Sequence, residues 1–391
     1  MNTSIYRANL YNLASTLEEQ SVPYQFVEES ALFLQGVLTD PGDVSIEVQW
    51  DLIENIYGFF NSYTPSGLEK DQLIGRFHFQ MNGIDVTLHC IYNKVLRADA
   101  SRIQVETEGM DYWCQSLYYE LSGTSKYARV VREYLQNQQK MVTEQNEFAW
   151  NQNNYEALIN RYGNPDQVAE KITQNPEGRL RPFYKYMKPV KGKSIVHLMG
   201  SNGIKAVALS MLGAHVTVVD FSQENARFAA ELAGAAGVTI HYTVSDALSF
   251  EGEGDFDIVL MELGVLHYFI DLKPLVETIS KLLCEGGQFV LHEFHPISTK
   301  LITSKGKKHK VSGNYFDPTI DSREVAFTKY ASGEAAPVTN VLQRKWTLGE
   351  LVTAVAQEGL VIKVLDEEPN QKVHDIGLPK TFTLVAEKPL K

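Results

Sequence analysis

Cysteine is scarce in this 391-residue chain. Cys90, Cys114 and Cys284 stand far apart, without the close pairing of metal or redox motifs. They are expected to remain reduced thiols in a cytoplasmic protein, and no metal site is expected. Long apolar runs are missing too. None approaches the roughly 18 residues that a membrane-spanning helix needs, so no membrane partner is expected. The opening "MNTSIYRANLYNLASTLEEQ" lacks a basic start followed by an apolar run, so it does not read as a secretory signal. Nor is there an excess of positive charge. Residues 1–150 carry 10 Lys and Arg against 20 Asp and Glu, and residues 151–391 carry 26 against 28. Neither half offers the basic surface that neutralises phosphates, so no nucleic-acid partner is expected. The basic cluster "TSKGKKHK", at 303–310, reads as a solvated loop.

What is present suffices for two cores: 44% of the residues are hydrophobic, and the length suggests two domains. The first part opens with a helix carrying Leu10, Leu13 and Leu17 on one face. "YQFV", "ALFLQGV" and "VSIEVQW" read as strands, and "DLIENIYGFF" as a helix. "RFHFQMNGIDVTLHCIY" reads as a hairpin turning at Asn82-Gly83. Residues 109–163 look mainly helical. The polar run "LQNQQKMVTEQNE" predicts a boundary that gives domains 1–141 and 142–391.

From Ser194 the pattern becomes regular. "SIVHLM", "HVTVVD", "TIHYTV", "FDIVLM" and "GQFVLHEF" are apolar strands, and helical segments separate most of them. That order predicts an α/β fold with a parallel sheet covered on both faces. "LVIKVLDEE" and "KTFTLVAEK" then form an antiparallel finish. A ligand in such a sheet sits at the carboxyl ends of the strands. The turn "MGSNG" follows the first strand, and the next helix points its N-terminus at that site. The dinucleotide fingerprint G-x-G-x-x-G is absent, since Asn202 and Lys205 stand at its third and sixth positions. Asp220 ends the second strand, where a carboxylate can accept both ribose hydroxyl protons. Asp246, after the third strand, can accept from an adenine amino group. The alternative is that both acids only cap the helices that follow.

The segments "LMGSNGIKAVALSMLGAHVTVVDFS", "VSDA", "FDIVLMELGVLHYF", "LLCEGGQFVLHEFHP" and "RKWTLGELVTAVAQEGLVIKVLDEEP" resemble a class I S-adenosylmethionine-dependent methyltransferase over roughly residues 150–391. The resemblance implies a Rossmann-like seven-stranded sheet with its last strand antiparallel, S-adenosyl-L-methionine as cofactor, and a small-molecule acceptor. It places the cofactor among Gly200, Ser201, Asn202, Gly203, Asp220, Phe221, Asp246, Ala247, Glu262 and Tyr155. Trp150, Asn151 and Tyr155 are candidates for a leading lid. Two departures stand out: His197 occupies the position of the family's acid, and Met199 and Ser201 occupy positions of its glycines. "MELG" stands where the amide and adenine N-methyltransferases carry Asn/Asp-Pro-Pro-Tyr, which argues against that chemistry. An insertion at 296–346, with Tyr315, Phe316, Phe327 and Tyr330, is the expected cover of the acceptor. His295, His267 and Glu293 are the candidates for the catalytic groups, because they lie at strand ends that face the methyl group.

A second, weaker resemblance covers about residues 10–135. "ALFLQGVLTDPGDVSIEVQWD" and "GIDVTLHC" are similar to the nucleotidyltransferase fold, which implies a smaller α+β domain. Asp43 and Asp85 match its first and third acids, and Ser45 stands in place of the second. The expectation is a non-catalytic module that packs on the other half or on a second copy in a homodimer. Two alternatives remain: a bifunctional enzyme with an active nucleotidyltransferase, and a cofactor-binding regulatory protein without turnover.

Overall fold

The computed structural model describes residues 3–121, 125–252, 254–305, 308–326, 330, 340–370 and 377–390. Phe327 and part of the 303–310 cluster lie outside them. The chain divides into two compact units, Met1–Gln136 and Asn137–Lys391, so the division falls ahead of the expected 141/142. No helix among the described residues is long and apolar enough to cross a membrane.

The first unit is a seven-stranded mixed sheet. Its strand order is Glu69–Lys70, Ile74–Met81, Ile84–Ile91, Val44–Val48, Tyr24–Phe26, Met110–Gln115 and Arg102–Thr107. The expected hairpin turns at Asn82 (φ 52°) and Gly83 (φ 78°), the left-handed pair that a two-residue connection favours. Buried and exposed residues alternate along Ile74–Met81, so one face of that strand packs on the core. One expectation fails here. "ALFLQGV" is mostly the end of a helix, Glu28–Leu34, not a strand. Its residues 30–34 are all buried, and such a short apolar run has no period that separates helix from strand. Residues 109–163 are mainly helical as expected, apart from Met110–Gln115, which pairs with Arg102–Thr107 across Glu108 and Gly109.

The second unit holds the regular α/β part. Its strands are β1 (Ser194–Leu198), β2 (His215–Asp220), β3 (His241–Val244), β4 (Phe256–Glu262), β5 (Leu283–Phe294), β6 (Val361–Pro369) and β7 (Pro379–Glu387). They lie in the order β3-β2-β1-β4-β5-β7-β6. The first five run parallel, and β7 is antiparallel to both β5 and β6. The Rossmann-like, seven-stranded expectation with an antiparallel last strand is therefore met. Helices α1 (Ala128–Trp150) and α2 (Asn154–Tyr162) precede the sheet. Helices α3 (Ile204–Met211), α4 (Gln223–Ala236), α5 (Leu272–Leu282) and α6 (Leu348–Gln357) are interleaved with its strands. One face packs Ile195, Val218, Leu260 and Val290 against Leu209 and Phe228 of α3 and α4. The other packs Val196, Val259, Phe289 and Leu384 against Ile279 and Leu351 of α5 and α6. Burial of both faces is why these strands read as near-continuous apolar runs. The insertion forms two hairpins, Ile302–Lys305 with Lys308–Val311 and Ile320–Glu324 with Asn340–Arg344.

Candidate functional site

The order of β1, β2 and β4 sets a switch point at β1, since β2 lies on one side of it and β4 on the other. Ligands of such sheets gather there, beyond the carboxyl ends. The turn after β1 has an unusual backbone. Met199 (φ 52°) and Ser201 (φ 49°) both adopt the left-handed conformation, as does Gly203 (φ 72°). The glycine-type path thus persists where two of the glycines do not, and strain of this kind concentrates at ligand sites. Gly203 itself cannot be replaced freely, because a Cβ there would lie 2.7 Å from the Ala229 Cβ on α4. At Gly200 a Cβ would meet the His197 Nδ1 and a Val218 methyl at 2.8 Å each. Asn202 accepts the Ile204 N–H through its side chain and so helps to start α3.

Asp220, at the end of β2, is 8% exposed and faces that turn. Its carboxylate accepts the backbone N–H of Ser201 at 3.0 Å, that of Ser222 at 2.9 Å and the Asn225 amide at 3.2 Å. Burial raises its pKa against the pull of these donors. A carboxylate has about four acceptor directions, so three are filled and one is open. Phe221 follows it, half-buried. Tyr242 on β3 locks the turn from the other side, donating its hydroxyl to the Ser201 carbonyl at 2.8 Å. Asp246 is half-buried, and the backbone N–H groups of Ala247 and Leu248 hold its carboxyl. Ala247 packs into the core.

Glu262 ends β4 on the same face as His197, two residues beyond Leu260, the partner of His197 in register. Its Oε2 is buried without a hydrogen bond, and the Lys205 ammonium is 3.7 Å away. Burial pushes its pKa up. His197 is 1% exposed with both ring nitrogens unbonded, and burial pushes it down to about 3, so it is neutral. Across the rim, Trp150 donates its indole N–H to the Tyr268 hydroxyl at 3.1 Å. Asn151 accepts the Ser222 hydroxyl at 3.0 Å. Tyr155 does not join them. Its ring lies 3.9 Å from the Arg227 guanidinium and its hydroxyl binds Glu231, both along α4, so packing of α2 accounts for it.

A cavity of about 360 Å³ opens beyond β4 and β5. His267 lines it, with an Nε2 that is buried and unbonded. Burial, then the positive charges of Lys345 and Arg323, push this imidazole down to about 4. Glu293 also lines the cavity, but its oxygens are committed. They accept the N–H groups of Gly264 (2.6 Å), Val265 (2.9 Å), Leu266 (3.2 Å) and Phe294 (2.6 Å). It shapes the loop after β4. His295 is held by its neighbours: its Nδ1 accepts the Ile297 N–H at 3.2 Å, so Nε2 carries the proton and donates to Glu367 at 2.6 Å. No lone pair is left for a substrate proton. The three aromatic lid candidates are not brought together. Tyr315 accepts the Leu348 N–H at the start of α6, Phe316 stacks on its edge, and Tyr330 lies under Arg161 near α2. Phe294, Trp346 and Phe382 line the cavity instead, with Arg323 and Lys345. Sequence reading missed these five. No periodicity links a strand end, a hairpin and a late strand that meet only in three dimensions.

Comparison with known proteins bears on the same stretch. Residues 199–291 match the family model described as a methyltransferase domain. This methyltransferase-domain segment runs from the left-handed turn to the middle of β5. Around it lies the seven-stranded sheet with its antiparallel last strand. A ubiquinone biosynthesis O-methyltransferase of Caulobacter sp. (strain K31) is 31% identical over 105 residues, 26% of this chain and 41% of that protein. The enzyme of the same name from Caulobacter vibrioides is 32% identical over 101 residues, 25% of this chain and 40% of its own. The chain thus spans well under half the length of these two relatives. Among solved structures, a putative S-adenosylmethionine dependent methyltransferase from Listeria monocytogenes is similar with a TM-score of 0.44 and 16% identity. It covers 55% of this chain and 98% of its own.

Proposed function

We propose that this protein transfers the methyl group of S-adenosyl-L-methionine to a small-molecule acceptor held in the cavity beyond β4 and β5. The observation that carries this reading is Asp220, a buried carboxylate at the end of β2 with one acceptor direction open, facing a left-handed turn at the switch point. The residues present fit the cofactor. Asp220 has room for one ribose hydroxyl, where two were expected. Glu262, with its unbonded buried oxygen, lies on the same face as His197, which stands in place of the family's acid, and a ligand ammonium would satisfy it. When bound, the cofactor supplies an activated methyl on a sulfonium, so the protein needs no electrophile of its own.

The side chains then bind, orient and exclude water. Trp150 and Asn151 span the rim. The Glu293 carboxylate holds the loop after β4, and so places His267, as a positioning residue. The neutral His267 imidazole exchanges a hydrogen bond with the acceptor and aims its lone pair. Proximity and orientation of this kind carry much of the rate in a group transfer. Asp220→Ala should weaken S-adenosyl-L-homocysteine binding by at least about tenfold, the worth of one charge-assisted hydrogen bond. Calorimetry showing unchanged affinity in the folded variant removes Asp220 as the anchor. Binding of NAD in place of S-adenosyl-L-homocysteine by the wild type removes the whole reading.

We further infer that Met1–Gln136 is a nucleotidyltransferase-like module without nucleotidyl transfer. The parallel register of Val44 with Val86 supports the likeness, since it sets Asp43 and Asp85 side by side. Ser45 leaves that pair short of a third acid. Glu47 cannot stand in, because Lys94 (2.7 Å) and Gln25 (2.8 Å) engage its carboxylate. Incubation with each nucleoside triphosphate and Mg²⁺ or Mn²⁺ should release no pyrophosphate; release that disappears in Asp43→Ala refutes the inference.

A further inference from the structure

We propose that the acceptor is an organic acid: an apolar, ring-sized body whose carboxylate is held between Arg323 and Lys345. The proposal rests on the methyl-transfer reading for what happens to that acid, but not for its binding. The cavity has two kinds of wall. Phe294, Trp346 and Phe382 form an apolar side. Arg323, on the strand Ile320–Glu324, and Lys345, just past the strand Asn340–Arg344, form a cationic end.

The two cations already demonstrate how they hold a carboxylate. Both reach the same oxygen of Asp321, Arg323 at 3.2 Å and Lys345 at 3.1 Å. One acid between two cations leaves a surplus positive charge. A guanidinium has five N–H donors and an ammonium three, so the bonds to one oxygen of Asp321 leave donors for a second carboxylate. Arg and Lys presented together suit an oxyanion, with Arg able to bind it bidentately. Glu293 does not compete for them through hydrogen bonds, since its oxygens are taken by four backbone N–H groups.

A second cavity of about 430 Å³ adjoins the first and shares Arg323 and Lys345 with it. It adds Lys300, whose buried ammonium donates to the carbonyls of Asp317 (2.6 Å) and Lys345 (2.8 Å). Asp317 lines that cavity too and offsets Lys300, so the surplus positive charge remains that of Arg323 and Lys345 over Asp321. His267 completes the geometry. It lines the same cavity as Lys345 and Arg323, so an acid bound to them shares that cavity with the ring.

The test uses the full chain and a set of paired probes: hydroxybenzoates and hydroxyphenylacetates, each with its neutral amide. Calorimetry is run with and without S-adenosyl-L-homocysteine. The expected result is saturable binding of acids, with the matching amides weaker by about tenfold or more. Arg323→Gln and Lys345→Gln should each remove most of that preference. Lys345→Arg should retain it, and the affinity for S-adenosyl-L-homocysteine should be unchanged in all three. Equal binding of amides and acids, a preference that survives in the double Gln variant, or failure of every acid while S-adenosyl-L-homocysteine binds, overturns the proposal. Acid preference without any S-adenosyl-L-homocysteine binding supports the anion pocket and sinks the methyl-transfer reading instead.

Discussion

An unbonded imidazole in the middle of a parallel sheet is tolerable only while it is neutral. His197 is such a group, and its folded pKa near 3 lies far below the 6.5 of an exposed histidine. Between those values the unfolded chain takes up a proton that the fold refuses. Stability contributed by this site is therefore full above about pH 6.5 and is lost as pH falls below it. His197→Leu removes the liability, so between pH 7 and pH 5 the wild type should lose about 2 kcal/mol relative to the variant. Urea unfolding at the two pH values reads the difference; a gap independent of pH refutes it. At this scale the sequence was partly legible. Position 197 stood out because an acid belonged there, and Asp220 because it ended an apolar strand. That Asp220 has one open acceptor direction was hidden, because Ser201, Ser222 and Asn225 converge on it only once the turn is folded.

Among the elements, the first residues of the loop after β4 are gathered by one carboxylate. Four backbone N–H groups end on the Glu293 carboxylate, and those of Val265 and Leu266 are buried with it. Glu293→Gln would turn an N–H₂ toward donors and leave some of them unpaired. The fold should lose about 1–3 kcal/mol. S-adenosyl-L-homocysteine affinity should stay within about twofold, since Asp220 and its turn do not depend on Glu293, while the KM for an acceptor rises. Denaturation, calorimetry and steady-state kinetics together separate these effects; a loss of cofactor affinity equal to the rise in KM contradicts the assignment. The strands around this loop were readable because burial of both faces leaves long apolar runs. The helix Glu28–Leu34 was not, because seven residues make barely two turns, too few to display a helical period.

For the molecule as a whole, where the chain divides matters more than how many parts it has. The division falls within the polar run of α1, and polarity alone could not show which residues of that helix serve the second unit. Gln139 does. Its amide donates to the Tyr268 carbonyl at 3.0 Å and accepts the Ile270 N–H at 2.8 Å, and both bonds are buried. A chain starting at residue 128 keeps them, and one starting at residue 142 does not. The shorter fragment should melt several degrees lower, since two buried hydrogen bonds are worth about 1–3 kcal/mol. Thermal unfolding of the two fragments checks this, and equal midpoints count against it. The place of β7 has a different consequence, for the order of events during synthesis. The last strand of the sheet is wedged between β5 and β6, so β6 has no place in the sheet until residues near 387 have left the ribosome. Asp220, Ser201 and Glu262 all precede it and can assemble while translation continues. Phe382, a wall of the cavity, arrives with β7. The nascent protein therefore acquires the groove for one ligand before the chamber for the other exists, and until then the β5 edge is an unpaired, apolar strand in need of protection from its neighbours.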